Sequence, residues 1–412
     1  MHGNYWTTSI RKLRLIDMRV GIDLEQFCVD PYGSGIQRVL QYMALTWPQG
    51  EIEPVFIAPM PDSSRSEFIA LNSQQASDLL SVPFAPPATE HPSDRNLVGE
   101  IAATLLSFSA PVLTLSQLLA TCHVWFLPEV TYLDQVLERF ALMAQAMPTL
   151  MIGYDTFPMT EPSNYRFRPG MAAQVNGYFH HLTNADSVVC ISEFARQSLW
   201  GQLRRDRSLP CTVAHPGGDH VPSSSVPALS APVRFIRLGT LEARKHPVEI
   251  VDAFVAAIDS GISAELLFIG RPSASDSSIN DRLYVAIDSN YPITWIESAS
   301  DAEVQQLVAE SDVFLSVGHE GYGIPVLEAI QLSTPVLYWG VQPAAVLIQG
   351  HGSREIGTES GSLHDVLVSA FSTYSERSTV SEFRDEISSQ VVPQWEDFSR
   401  EIAQAAKKLL SS

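Results

Sequence analysis

The sequence predicts an α/β protein with two doubly wound, Rossmann-like domains that face a central cleft. Apolar runs rich in Val, Ile and Leu alternate with segments of helical period, stop at a Pro- and Ser-rich stretch near the middle of the chain, and then begin again. The 412 residues are enough for two domains that each bury a sizeable core. Binding loops in such folds lie at the carboxyl ends of the strands, so we expect them to line the cleft.

Six short apolar runs in the first half are predicted to be strands, at 19–23, 54–57, 123–127, 150–153, 187–191 and 212–214. Between them, residues 36–45 and 132–147 have the apolar spacing of amphipathic helices. Residues 60–97 are rich in Pro, Ser and Ala, which predicts a long surface excursion. Strands that alternate with helices in this way predict a parallel sheet, because each helix returns the chain to the same edge.

The pattern restarts after residues 221–232, whose Pro- and Ser-rich composition is typical of an interdomain linker. Strands are then predicted at 233–238, 264–269, 293–295, 313–316 and 335–338, and helices at 247–258, 301–309 and 324–331. A last helix at 395–410 has no strand after it and needs a surface for its apolar face. We therefore predict domains at 1–215 and 216–392, followed by a C-terminal helix at 393–412.

The composition is that of a folded protein without affinity for nucleic acid. Hydrophobic residues make up 45% of the chain and the formal net charge is −20, so its surface repels phosphate backbones. Four cysteines (Cys28, Cys122, Cys190 and Cys211) lack zinc-type spacing and are predicted to be buried, reduced thiols. The first residues lack the apolar core of a secretory signal, so we expect a cytoplasmic protein.

Two segments bear on membrane contact. Residues 101–128 contain no Asp, Glu, Lys or Arg, but Pro111 and scattered polar residues predict a helix and then a buried strand instead of a membrane span. Residues 10–16 are both basic and apolar. They could make peripheral contact with an anionic membrane, or they could belong to an N-terminal extension upstream of Met18, which we favour.

The most specific motif is the string E-G-Y-G-I-P-V-L-E-A at 320–329, which follows a predicted strand and opens a helix. Its glycines permit a tight turn, and the exposed amides of a helix start can hold phosphate or sugar oxygens. Glu320 lies before the turn and Glu328 lies one turn into the helix, so both could contact one ligand. Carboxylates accept hydrogen bonds and suit a vicinal diol such as a ribose edge. As a carboxylate pair alone, they could equally cap the turn and complement the helix dipole.

A second motif, L-G-T-L-E-A-R-K at 238–245, ends the first strand of the second half. Gly239 allows a turn there, and Arg244 and Lys245 precede a helix start. Adjacent cations in this position suit a diphosphate, because the helix start adds its own amide donors. Taken alone, the pair could also be a solvated basic turn.

Two strings in the first half carry weaker signals. S-G-I-Q-R at 34–38 follows the first strand, and Gly33 and Gly35 there could bring the backbone close to a ligand or form a helix-capping turn. Y-D-T-F-P at 154–158 follows the fourth strand. Its Asp155 could contact a ligand or cap the turn that follows.

Together these strings resemble glycosyltransferase family 4. The first is similar to that family's E-x7-E signature, and the second to the loop whose cations bind the donor's pyrophosphate, although Thr240 stands where many members have Arg. The string at 34–38 looks like the family's N-terminal glycine loop, and that at 154–158 like its H-D-x-x-P turn, with Tyr154 in place of His. The resemblance covers nearly the whole chain and is densest over 186–340.

The resemblance implies the GT-B fold and an enzyme that transfers a hexose, with retention of anomeric configuration, from a nucleotide-diphosphate sugar to a hydroxyl acceptor. The acceptor would be a saccharide or a lipid-linked saccharide, and the hexose a mannose- or deoxyhexose-like sugar of a surface polysaccharide. The first domain would bind the acceptor, with the excursion 60–97 over its site, and the last helix would cross back onto that domain.

The resemblance also implies site residues. Catalytic roles fall to Arg244, Lys245, Glu320 and Asp155, and donor contacts to Gly33, Gly35, Gly239, Thr240, Gly321, Tyr322, Gly323, Ile324 and Glu328. No D-x-D ends a strand and no His/Cys cluster has metal spacing, so we expect neither a metal nor another cofactor. The two cations and the helix-start amides would then meet the charge of the leaving diphosphate.

Other functions share these features. A nucleotide-sugar epimerase or a sugar phosphorylase would use the same diphosphate pocket, and a non-catalytic nucleotide-sugar-binding subunit would keep the same fold. Turnover with a hydroxyl acceptor separates these hypotheses. The base, the sugar, the acceptor and the oligomeric state are open at this stage.

Overall fold

A computed structural model describes residues 18–50, 52–61, 66–84, 96–164, 167, 170–222, 229, 231–357, 361–388 and 391–411. The basic segment 10–16 and most of the predicted linker 221–232 lie outside them.

The first domain is built on an eight-stranded sheet of order β4-β3-β2-β1-β5-β6-β7-β8. Its strands are β1 (Arg19–Asp23), β2 (Glu53–Pro59), β3 (Glu67–Leu71), β4 (Val112–Thr114), β5 (Val124–Leu127), β6 (Thr149–Gly153), β7 (Ser187–Cys190) and β8 (Cys211–Val213). β1 pairs in parallel with both β2 and β5, so Gly21 lies between Val55 and Trp125. The strand order reverses between β1 and β5, which places a topological switch point at their carboxyl ends.

The prediction of a surface excursion over 60–97 is wrong for residues 66–84, whereas residues 62–65 and 85–95 lie outside the described part of the chain. Within it, β3 pairs antiparallel with β2 and with β4, and a helix runs over Ser73–Ser81. Phe68, Ile69 and Leu71 of β3 are buried. The first sheet is therefore mixed and not wholly parallel. Five residues in a Pro- and Ser-rich setting carry no clear period, and only pairing at the sheet edge makes them a strand.

The second domain has a six-stranded sheet of order β11-β10-β9-β12-β13-β14, in which every pair is parallel. Its strands are β9 (Val233–Leu238), β10 (Ala264–Ile269), β11 (Ile293–Ile296), β12 (Val313–Val317), β13 (Val336–Trp339) and β14 (Ser353–Glu355). The sequence did not predict β14, because its three residues are Ser-Arg-Glu and have no apolar signal. The switch point of this sheet lies between β9 and β12.

The helices follow the strands in alternation, as predicted. Those of the first half are α1 (Glu25–Val29), α2 (Gly35–Leu45), α3 (Ser73–Ser81), α4 (Leu97–Ser107), α5 (Leu115–Thr121), α6 (Asp134–Met143), α7 (Phe157–Thr160), α8 (Ala172–Asn184) and α9 (Glu193–Gly201). Those of the second half are α10 (Pro247–Asp259), α11 (Ser277–Asp288), α12 (Asp301–Ala309), α13 (Ile324–Gln331), α14 (Pro343–Leu347), α15 (Leu363–Tyr374), α16 (Arg377–Asp385) and α17 (Trp395–Leu409). Among the described residues, no helix is both long enough and apolar enough to cross a membrane.

The last helix, α17, packs against α2 and β7 of the first domain. Trp395, Phe398 and Ile402 recur at helical spacing and are buried. The hydroxyls of Thr46 and Ser399 lie 2.7 Å apart across the contact with α2. The apolar face of this helix, for which the sequence predicted no packing surface, therefore packs on the first domain. One hydrophobic core runs through that sheet, α17 and the inner face of α13, and a second fills the outer face of the second sheet.

Candidate functional site

The loops that follow β9 and β12 pack directly against each other. Arg244 and Lys245 lie in a short 3-10 turn over Ala243–Lys245, just before α10. Gly318 follows β12 at φ +110°, and a Cβ there would collide with the carbonyl oxygen of Arg244. Only glycine therefore allows the two loops to approach this closely. The approach brings Glu320 onto the cations of the first loop.

Glu320 binds both of these cations. One of its carboxylate oxygens lies 2.7 Å from Lys245 Nζ, and the other lies 3.2 Å from Arg244 Nη1. Arg244 also pairs with Glu242 at 2.7 Å and donates to the backbone carbonyl of His319. Burial alone would raise the pKa of Glu320, but the charges of Lys245 and Arg244 outweigh it and lower the pKa to about 2. Three of the predicted catalytic residues thus form one partly buried ion cluster.

Arg237, near the end of β9, lies beside this cluster and was missed by the sequence analysis. Its side chain is buried, and Nη1 donates to the carbonyls of Leu238 and Gly239, at 3.1 and 2.8 Å. Burial lowers its pKa to about 10. Arg237 is one of two arginines in an otherwise apolar strand, and a buried arginine is unusual. Its surroundings, however, could not be inferred from its position in the sequence.

The turn that opens α13 leaves its amides free within the described part of the chain. Gly323 precedes the helix at φ +107°, Pro325 follows at a position that needs no amide donor, and the amides of Gly321, Gly323 and Ile324 donate to no described residue. The side chain of Tyr322 is already engaged, because its hydroxyl donates to the carbonyl of Pro216 at 2.8 Å. Its carbonyl accepts from the amide of Ala344, so its backbone amide is the part left for a donor contact.

The first domain holds this turn in place. Ser192 Oγ accepts from the amide of Ala195 at the start of α9 and donates to the carbonyl of Gly321 at 2.8 Å. Asp155, at the end of β6, lies so close that a Cβ added to Gly321 would be 2.9 Å from its Oδ2. Burial raises the pKa of Asp155 to about 6. The two domains therefore meet where β6 and β12 end, and Asp155 is beside the ion cluster.

The position before Asp155 has a structural explanation. Tyr154 is buried and its hydroxyl donates to the carbonyl of Pro128 at 2.9 Å. The Tyr154 side chain therefore has its hydrogen-bonding partner within the first domain. Any contact from this turn to a ligand would come from Asp155.

Glu328 has different partners from Glu320. Its carboxylate accepts from Arg38 Nη1 of α2 at 3.1 Å and from His220 Nε2 at 2.8 Å. Trp395 Nε1 donates to the other ring nitrogen, Nδ1, at 3.1 Å, so the proton of the neutral imidazole lies on Nε2. Arg38 also pairs with Asp301 at 2.7 Å. This network joins α2, α13 and α17, and its arginine belongs to the S-G-I-Q-R string.

The S-G-I-Q-R string is ordered by Gln37, another residue that the sequence analysis did not single out. Gln37 Oε1 accepts from the amides of Tyr32 and Gly33, and Nε2 donates to the Asp30 carbonyl. Gly33 adopts φ +68° and Gly35 is the first residue of α2, with Ser34 as its N-cap. In the second domain, Gly239 and Thr240 follow the end of β9 directly. Gly239 and Thr240 therefore lie directly after a strand as predicted, whereas α1 separates β1 from Gly33 and Gly35.

A cavity of about 680 Å³ opens in the first domain. It is lined by Gln26, Val29, Asp30, Tyr32, Ile36, Glu129, Val130, Tyr132, Leu133, Tyr154, Asp155, Pro158, Met171, Gln174 and Phe179. Glu129, which the sequence analysis also missed, follows β5 and accepts from Gln37 at 3.2 Å, and its Oε2 has no partner among the described residues. Burial raises its pKa to about 8, so it holds a proton at neutral pH. The cavity reaches Asp155, next to the ion cluster. Within the described residues, no group of three or more His, Cys, Asp or Glu side chains is placed to hold a metal ion.

Two Rossmann-like domains whose strand-end loops face each other, with a last helix returning to the first domain, define the GT-B class of glycosyltransferase folds. Solved structures of similar fold are a glycosyltransferase from Rickettsia africae (TM-score 0.58, 12% identity, 96% of this chain and 99% of that one) and Anabaena HepE in complex with UDP and glucose (TM-score 0.59, 13% identity, 96% and 99%). A sucrose-phosphate synthase from Thermosynechococcus elongatus is also similar (TM-score 0.59, 13% identity, 96% and 99%).

Sequence relatives are mannosyltransferases. The chain is 28% identical to the serotype-specific mannosyltransferase WbdA of Escherichia coli over 188 residues, which are 41% of this chain and 23% of WbdA. It is 29% identical over 167 residues to a GDP-mannose-dependent α-(1-6)-phosphatidylinositol dimannoside mannosyltransferase of Mycobacterium tuberculosis, 37% of this chain and 41% of that protein. The match spans less than a quarter of WbdA, and no protein-family model matches the chain. These comparisons confirm the GT-B fold and the predicted resemblance to family-4, mannosyltransferase-like glycosyltransferases.

Proposed function

We propose that this chain is a retaining hexosyltransferase that moves a sugar from a nucleotide-diphosphate donor to a hydroxyl of a saccharide or lipid-linked saccharide. The observation that carries the proposal is the ion cluster of Arg244, Lys245 and Glu320. It lies at the switch point of the second sheet, beside free helix-start amides and opposite Asp155. Cations and amides at such a position bind diphosphates, and the low dielectric of a buried site strengthens them.

The donor would bind the second domain. Arg244, Lys245 and the amides that open α13 would hold the diphosphate, and the loop at Gly239 and Thr240 would let its backbone approach. Glu320, freed from Lys245, would accept hydrogen bonds from sugar hydroxyls. Glu328 would accept from the ribose, which requires it to share its carboxylate with Arg38 and His220.

The chemistry would need charge stabilisation more than a protein nucleophile. The bond between the anomeric carbon and the diphosphate oxygen breaks, and the acceptor oxygen bonds to the same face of that carbon. The acceptor's proton passes to an oxygen of the departing diphosphate. Arg244 and Lys245 would stabilise the charge that develops on this group, so we propose that no metal ion is required.

The acceptor would enter the cavity of the first domain. Tyr32 and Tyr132 offer apolar ring surface, while Asp30, Glu129 and Asp155 offer hydrogen-bonding groups to hydroxyls. This mixture suits a sugar ring, which has both apolar faces and polar edges. Because the relatives are mannosyltransferases, a mannose- or deoxyhexose-like donor sugar for a surface polysaccharide or glycolipid is the first to test.

A panel of nucleotide sugars in a thermal-shift assay tests the donor class, since a ligand at about 100 times its dissociation constant adds roughly 2.7 kcal/mol of stability. The stabilising donor is then incubated with saccharide acceptors, and NMR of the product reports its anomeric configuration. Transfer with retention supports the proposal. Epimerisation of the donor would indicate an epimerase instead, and release of a sugar phosphate would indicate a phosphorylase. Binding without turnover would indicate a non-catalytic nucleotide-sugar-binding subunit.

A further inference from the structure

Arg237 is a buried cation without a carboxylate partner among the described residues. Two other buried arginines of the described residues use more of their donors: Arg139 pairs with Asp23 and Glu25, and Arg205 donates to four backbone carbonyls through both terminal nitrogens. Arg237 uses Nη1 alone, for two consecutive carbonyls at the end of its own strand. Its exposed fraction is only 2%. A buried charge this poorly compensated is costly unless something else supplies the counter-charge.

The position of Arg237 indicates where that counter-charge would come from. A Cβ built on Gly239 would lie 3.1 Å from Lys245 Nζ and 3.9 Å from Arg237 Nη1, so the two cations flank the same turn. Both line a cavity of about 60 Å³ together with Glu320 and Gly323. This cavity opens between the end of β9 and the start of α13, where the helix-start amides add further donors.

Arg237 differs from the other cations of this cluster in having no ion pair among the described residues. Arg237, Arg244 and Lys245 bring three positive charges, and Glu242 and Glu320 bring two negative ones. Both carboxylates are bound to Arg244 or Lys245, and Arg237 forms no ion pair with either of them. A buried cation without an ion pair favours the binding of an anion at this site.

We infer that Arg237 is a third cation of the diphosphate site and contacts the phosphate of the donor directly. The inference rests on the proposed function and adds a binding residue that lies inside a strand. The 60 Å³ cavity is too small for a diphosphate, so binding moves Glu320 away from Lys245. This movement exchanges one carboxylate for a phosphate on the cations and frees Glu320 for the sugar.

The test measures binding of inorganic pyrophosphate and of the nucleoside diphosphate and matching nucleoside monophosphate that most raise the melting temperature. Titration calorimetry compares the wild type with Arg237→Gln and Arg237→Lys. Arg234→Gln is the matched control, because Arg234 is on the same strand but pairs with Glu265 away from the cavity. A hydrogen bond to a charged group contributes binding free energy that corresponds to about ten- to a hundredfold in affinity. Arg237→Gln should therefore weaken the binding of pyrophosphate and of the nucleoside diphosphate by about that factor.

The other variants and ligands test whether the loss is specific to the charge of Arg237 and to the diphosphate. Arg237→Lys should retain most of the affinity, Arg234→Gln should leave it unchanged, and the monophosphate should lose less than the diphosphate in Arg237→Gln. Melting temperatures are recorded first, and all titrations are run well below them. If folded Arg237→Gln binds pyrophosphate as the wild type does, or if Arg237→Gln only lowers the melting temperature, Arg237 is structural and the inference is overturned. If the wild type binds no nucleoside diphosphate, the proposed function itself fails.

Discussion

Replacing Glu328 with Gln tests whether its carboxylate serves the donor, the contact between domains, or both. Only 13% of the side chain is exposed, and it accepts hydrogen bonds from Arg38 of the first domain and from His220. Burial alone would raise its pKa, but those two partners outweigh burial and lower it. The carboxylate is therefore ionised at neutral pH and binds the two domains together.

The expected size of the effect follows from these contacts. A net hydrogen bond to a charged group contributes about 2 kcal/mol and a neutral one about 1 kcal/mol. Gln keeps an acceptor oxygen for both donors, and Arg38 keeps its own charge, so both bonds weaken without being lost and the expected loss is about 1 to 2 kcal/mol. Arg38 retains Asp301 at 2.7 Å, which prevents the larger penalty of an isolated buried charge.

Asp301→Asn is the control, because Asp301 pairs with the same arginine but is 42% exposed. Solvent screens an exposed pair, so this change should cost well under about 1 kcal/mol. The free energy of unfolding is measured by urea titration, and hydrogen exchange of α2 and α13 reports whether the contact between domains has loosened. Glu328→Gln should loosen both helices more than Asp301→Asn does.

Ligand binding separates the second role. If Glu328 also grips the ribose, Glu328→Gln should weaken the nucleoside diphosphate about five- to thirtyfold. Inorganic pyrophosphate has no ribose, so its affinity should not change. Unchanged nucleoside diphosphate affinity refutes the ribose contact, and an unchanged free energy of unfolding refutes the stabilising role of the network.

Four further outcomes are expected. Lys245→Ala should reduce turnover about a hundred- to a thousandfold with a smaller change in donor affinity, because the cation acts mostly on the transition state; steady-state kinetics against donor concentration would expose an unaffected turnover. Chelation with EDTA should leave transfer activity intact, and activity restored only by manganese would contradict this. Truncation before Trp395 should speed hydrogen exchange within residues 18–200, since α17 packs on α2 and β7; unchanged exchange there would disprove the coupling. Burial raises the pKa of Glu129 from 4.5 to about 8, so the folded state binds the extra proton, and stability should fall as pH rises from about 5 to about 8 and then level off. Glu129→Gln should abolish about 3 kcal/mol of that fall in urea unfolding, and an identical pH profile for both proteins would count against the buried proton.

The central strands and the charged loops could be predicted because their signals are local. Strands buried on both faces are continuous apolar runs, and β1, β9 and β10 lie where those runs lie. The carboxyl ends of parallel strands lie at the same edge of the sheet. Glycines, cations and carboxylates that directly follow such strands therefore lie at that edge because of the topology alone. For this reason the predicted positions from Gly239 to Glu320 lie together at the end of β9 and β12.

The residues that could not be predicted depend on their neighbours in space. β3 and β14 are strands because they pair at a sheet edge, which a short or polar run does not reveal. Arg237 and Glu129 are ordinary residue types in the sequence, and they become unusual only when burial removes water without supplying a full set of partners. Glu328 similarly gains its partners from α2 and from the segment that follows β8, far away along the chain. Local chemistry thus places the loops, whereas desolvation and long-range pairing, which exist only in the folded chain, decide which side chains in them carry an unmet charge.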